Sequence, residues 1–142
     1  MKKRVLYVDD EEALVRAPRL ALEGIGQVCT GMLSPEEALE RLQEEPHAFD
    51  MVIVEFRMPG MTGLEFARRV AEMCSDLPLV LCSGFLSELI VHEGRQLGIA
   101  EFLRKPVARK DLIELLARWF SKPEVSSESG EFASSTMGDR EP

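Results

Sequence analysis

The sequence predicts an α/β fold in which five parallel strands form one sheet with helices on both faces. Three observations lead there. Short apolar runs without polar alternation recur at Arg4–Val8, Met51–Val54 and Leu79–Cys82, which suits strands covered on both sides. Segments whose apolar residues repeat at helical spacing lie between those runs. The connections are short, so each strand leads into a crossover helix and the next strand returns parallel.

The first strand, Arg4–Val8, ends on Asp9, Asp10, Glu11 and Glu12. Acidic residues suit the start of a helix, and Asp10 or a neighbour is a candidate cap. Helix 1 follows with Ala13, Leu14, Ala17, Leu20 and Ala21 up to Gly24. Pro18 falls inside it, and an interior proline costs about 3 kcal/mol, so a kink or local break is expected. Gln27–Thr30 reads as a weak second strand. Helix 2 opens at Ser34-Pro35-Glu36-Glu37, a capping box with proline in the first turn, and ends before Pro46. The third strand closes on Glu55 and breaks at Met58-Pro59-Gly60. Helix 3 spans about Gly63–Met73. Strand 4, Leu79–Cys82, gives way to Ser83-Gly84, and helix 4 covers roughly Ser87–Leu97. Strand 5, Ala100–Leu103, precedes Arg104-Lys105-Pro106, and helix 5 runs over about Lys110–Phe120.

One domain over residues 1–121 accounts for most of the 142 residues. From residue 122 to 142 the composition turns to Ser, Glu, Gly and Pro without periodicity. Such a tail is expected to be disordered, and it is too short for an output domain. The net charge of −8 excludes nonspecific binding to nucleic acid or anionic membrane, because no basic stripe is present to neutralise phosphates. No apolar run approaches a membrane span and the N-terminus is no signal peptide, so a cytoplasmic protein is expected. Cys29, Cys74 and Cys82 have no metal-binding spacing and read as buried thiols.

Function is sought where the carboxyl ends of the strands meet, since open α/β sheets bind ligands in that crevice. Asp9 and Asp10 follow strand 1, Glu55 ends strand 3, Ser83 follows strand 4 and Lys105 follows strand 5. Each alone has an ordinary explanation as a helix cap, a turn residue or a solvated loop charge. Together they crowd three carboxylates around one ammonium. One lysine cannot balance three acids, and a hard divalent cation is the expected remedy. Mg²⁺ suits an oxygen donor set and keeps several waters.

Val8-Asp9-Asp10-Glu11, Met58-Pro59-Gly60-Met61-Thr62-Gly63, Ser83-Gly84 and Lys105-Pro106 together resemble a bacterial response-regulator receiver domain. The likeness covers about residues 3–121. It implies a flavodoxin-like (βα)5 fold with sheet order 2-1-3-4-5. It also implies a place in two-component phosphorelay signalling, with a histidine kinase or phosphorelay protein as partner. By the same resemblance Glu55 stands at the phosphoacceptor position. Asp9, Asp10, Glu55 and the Arg57 carbonyl would hold Mg²⁺, Ser83 and Lys105 would contact the phosphoryl group, and Phe102 is the aromatic switch position. A buried core Phe is an equally good reading of residue 102. A downstream partner would read the face of helix 4, strand 5 and helix 5, where His92, Leu89 and Ile90 lie.

The family's acceptor is Asp, and this chain has Glu55. The extra methylene carries the carboxylate about 1.5 Å further out. Phosphoryl transfer depends on positioning, and such a shift costs about 100-fold. The sequence therefore points to a stand-alone, atypical receiver, phosphorylation-independent or constitutively biased, rather than an enzyme. A conventionally phosphorylated receiver is the alternative. A metal-dependent phosphohydrolase fits less well, because residue 57 is Arg where a second Asp is wanted. A flavin site is disfavoured by four acids after strand 1, where a phosphate-cradling loop is needed.

Overall fold

The computed structural model describes residues 2–120; the tail expected over 122–142 lies outside them. Among the described residues five strands alternate with five helices: β1 Arg4–Val8, α1 Glu12–Gly24, β2 Val28–Met32, α2 Pro35–Glu44, β3 Met51–Glu55, α3 Gly63–Met73, β4 Leu79–Ser83, α4 Glu88–Gln96, β5 Ile99–Arg104 and α5 Arg109–Phe120. All strand pairs are parallel, and the sheet order is β2-β1-β3-β4-β5. The chain divides inside α5. One unit, Met1–Leu112, holds the whole sheet with α1–α4; the other begins at Ile113 and is described up to Phe120, as helix.

Alternation along the strands sorts the core into two faces. Leu6, Val8, Val52, Val54, Leu79 and Leu81 point to one side, where they cluster with Ala38 and Leu42 of α2 and Phe66, Ala67 and Val70 of α3. Val5, Tyr7, Ile53, Val80 and Cys82 are equally buried and point the other way. On that side α1 lies against β1 and β2, burying Val15, Pro18 and Leu22. The helix runs unbroken from Glu12 to Gly24, which corrects the expected break at Pro18. Burial of the ring against the sheet offsets the lost backbone hydrogen bond.

Helix starts are set locally. Ser34 Oγ accepts from Glu37 N–H at 3.2 Å, Thr62 Oγ1 from Glu65 N–H at 3.2 Å and Ser87 Oγ from Ile90 N–H at 3.1 Å. Helix α1 has no such side-chain cap, so Asp10 does not cap it. Strand β2 sits one to two residues later than its composition suggests. Gly31 and Met32 pair there with Tyr7 and Val8, so the neighbouring strand overrides weak local propensity. Strand β5 carries an irregularity that its sequence does not announce. Leu79 pairs with Ile99 but Val80 with Glu101, so Ala100 is skipped.

At the opposite end of the sheet from the crevice, Asp50 Oδ2 accepts from Arg4 N–H at 2.8 Å and from its guanidinium at 3.3 Å. Burial works to raise the Asp50 pKa, but the Arg4 hydrogen bonds outweigh it and hold the carboxyl below its usual value. All three cysteines are free and buried, and burial pushes the Cys29 thiol up to about 12.

Gly31 marks a close approach of helix to sheet. A Cβ there would collide with Val15 Cγ1 of α1, and a helical valine has one favoured rotamer and cannot swing aside. Gly31→Ala is expected to destabilise the protein by about 1–3 kcal/mol in urea unfolding. Adding Val15→Ala should recover part of that loss, so that the double variant is more stable than the sum of the singles.

Candidate functional site

Sheet register brings the site together. Val8 lies beside Val54, so Asp9 follows β1 next to Glu55 at the end of β3. Glu55 lies beside Cys82, the residue before Ser83. Ser83 lies beside Arg104, and Lys105 N–H continues that ladder to the Ser83 carbonyl at 2.8 Å. The Lys105–Pro106 peptide is cis. The resulting cleft has a volume of about 410 Å³ and is walled by Asp9, Asp10, Glu11, Glu55, Arg57, Ser83, Gly84, Phe85 and Lys105.

Within it, Asp9 and Glu55 are buried and share the Lys105 ammonium. Lys105 Nζ donates to Asp9 Oδ2 at 2.8 Å and forms an ion pair with Glu55 Oε1. The remaining oxygens take backbone donors. Asp9 Oδ1 accepts Glu11 N–H at 3.1 Å, and Glu55 Oε2 accepts Arg57 N–H at 2.9 Å. The Lys105 ammonium is the partner of Glu55 Oε1. Burial works to lower the Lys105 pKa, and the hydrogen bonds and charges of Asp9 and Glu55 overcome it, holding the ammonium above its usual value. Ser83 is buried, and its Oγ accepts Phe85 N–H at 3.2 Å.

Asp10 stands apart from this cluster. It is exposed at the wall of the cleft, because it follows Asp9 at the point where the chain leaves the strand. Among the described residues no three His, Cys, Asp or Glu side chains group to hold a metal ion. The two buried carboxylates are bridged by an ammonium instead. As arranged, this donor set does not fit the Mg²⁺ expected from the sequence, which drew on all three acids.

Two features of the site escaped the sequence. Arg57 meets Glu55 through its backbone N–H, a contact that depends on the turn after β3 and not on residue type. Beneath the site, Tyr7 Oη lies 3.6 Å from Cys82 Sγ, both buried. Burial pushes the Tyr7 hydroxyl far up and the Cys82 thiol up to about 11, so both stay neutral. The available signal was a tyrosine inside an otherwise aliphatic strand. Phe102 is partly buried on the α4 side, where its ring lies over Gly94 with the Arg95 guanidinium 5.8 Å from its centroid.

The turn after β3 is tight. Gly63 N–H donates to the Phe56 carbonyl at 2.8 Å, and a Cβ at residue 63 would stand 2.5 Å from the Glu55 carbonyl oxygen and 2.6 Å from Leu81 Cδ1. Only glycine allows that approach.

Lys105→Met leaves two buried carboxylates without their cation, and a loss of about 3–5 kcal/mol is expected in urea unfolding at neutral pH. Because the folded pKa of Lys105 is raised above 10.5, its stabilisation is full below that pH and drains away as pH rises through the folded value. The gap between wild type and variant should therefore narrow as pH rises through the folded pKa of Lys105.

Comparison with known proteins agrees with this geometry. The family model for the response regulator receiver domain matches residues 5–117. The response regulator receiver protein CpdR of Brucella abortus is 34% identical over 111 residues, covering 78% of this chain and 91% of that protein. The C4-dicarboxylate transport transcriptional regulatory protein DctD of Rhizobium meliloti is 32% identical over 114 residues, covering 80% of this chain. The chain spans only 24% of DctD and 20% of the two-component response regulator ARR10 of Arabidopsis thaliana. Among solved structures, the Vibrio cholerae chemotaxis protein CheY4 superposes with a TM-score of 0.77 at 28% identity, covering 83% of this chain and 98% of that one. Sequence, sheet order and strand-end chemistry converge, and the chain belongs to the response regulator receiver domain family of two-component signalling.

Proposed function

We propose that the protein is an atypical receiver that signals through protein–protein contact and does not use Glu55 as a phosphoryl acceptor. The engagement of both Glu55 oxygens carries this reading: Oε2 accepts Arg57 N–H, and Oε1 is paired with Lys105. An attacking carboxylate needs one oxygen free and aligned with the donor phosphorus. Glu55 is instead buried and turned to the cation that, by the resemblance to other receivers, would follow a phosphoryl group. Its contact with Lys105 imitates part of a phosphorylated state, although a phosphoryl group carries nearly two charges and three acceptor oxygens.

On this reading the chain is a signalling module of the cytoplasm rather than an enzyme. Its partners are a histidine kinase or phosphorelay protein and a downstream protein. The surface of α4 and β5 is the proposed output face, with exposed Leu89 beside the half-buried Ile90 and Phe102. Ser83 and Lys105 in one cleft favour a second reading, that of a conventional receiver phosphorylated on residue 55.

Incubation with a small acyl phosphate and Mg²⁺ separates the two. Wild type is expected to gain no base-labile phosphate, whereas Glu55→Asp, with its shorter side chain, is expected to label. Stoichiometric labelling of wild type on Glu55 would establish the conventional switch instead.

A further inference from the structure

We propose that the Lys105 ammonium is the resident cation of the acidic site and excludes a divalent metal from it. The proposal rests on the reading of Glu55 given above and extends it to the ion the site takes. Three observations carry it. The ammonium reaches both buried carboxylates at once, at 2.8 Å from Asp9 Oδ2 and in an ion pair with Glu55 Oε1. Each of the four carboxylate oxygens already has a positively polarised partner: Lys105 for two of them, Glu11 N–H and Arg57 N–H for the others. The third acid, Asp10, remains in solvent.

Mg²⁺ demands near-ideal octahedral oxygen coordination at about 2.0–2.1 Å and gives up its waters reluctantly. To take Asp9 or Glu55 as ligand it must push aside a lysine whose side chain is only 17% exposed. A dication beside a buried ammonium is repelled at short range, where solvent screens poorly. The exposed Asp10 alone is a single carboxylate in water and offers no site. The extra methylene of Glu55 matters here because it carries the carboxylate toward Lys105 and closes the gap in which a cation would sit.

Mn²⁺ serves as the probe, its aqueous electron paramagnetic resonance signal falling when the ion is bound by protein. With the full chain, wild type is expected to leave that signal undiminished up to about 1 mM, and about 10 mM Mg²⁺ should leave its thermal midpoint unmoved. Lys105→Met, which vacates the space between Asp9 and Glu55, is expected to bind Mn²⁺ and to gain thermal stability from Mg²⁺. Lys105→Arg keeps a cation in place and should stay metal-free. Stoichiometric, submillimolar Mn²⁺ binding by wild type would overturn the proposal, as would a folded Lys105→Met that still ignores the metal. The wild-type measurement decides by itself if Lys105→Met does not fold. Metal binding by wild type without acyl phosphate on Glu55 sinks this inference alone, whereas acyl phosphate on Glu55 sinks the reading beneath it.

Discussion

A single ammonium group ties together the ends of three strands. Lys105 leaves β5, passes the end of β4 at Ser83, and meets Asp9 from β1 and Glu55 from β3. Buried ion pairs recover little net stability, since desolvation of the partners consumes most of the Coulombic gain. Their value here is positional. With three side chains holding one another, the Glu55 carboxylate is fixed in orientation, and the charge balance of the crevice depends on every member being present.

The length of Glu55 has a consequence only because the backbone behind it cannot retreat. Gly63 is packed against the Glu55 carbonyl so closely that a Cβ would not fit, and β3 is buried along its whole length between β1 and β4. The added methylene therefore cannot be absorbed by moving the strand. It is expressed forward into the cleft, where Lys105 receives it. A glycine eight residues away thus decides how a one-carbon difference in the acid is felt.

Much of this was legible in the sequence, and the failures have identifiable causes. β1, β3 and α3 were placed to within a residue because their signals are local: apolar runs bounded by charge, and a helical period opening at glycine. β2 was misplaced because it is held by pairing with β1, a long-range term absent from its own residues. Pro18 was read by propensity, while burial against the sheet governed the outcome. The five strand-end residues were found from topology alone, yet the separation of Asp10 from Asp9 was not. Which of two adjacent acids enters a cleft depends on the direction in which the chain turns after the strand. The Arg57 amide was invisible for a similar reason, since a backbone donor leaves no mark in residue identity.

The skipped Ala100 in β5 bears on how this chain tolerates changes of length. Side chains alternate strictly along a strand, so one extra residue inverts the facing of all that follow. With Ala100 passed over, Phe102 stands beside Leu81 on the α4 side, and Leu103 stands beside Cys82 on the other. Loss of one residue from Ile99–Glu101 would restore an even ladder with Phe102 still beside Leu81 on its present face of the sheet. The irregularity therefore acts as slack: one residue can be lost there without turning the aromatic ring to the other face.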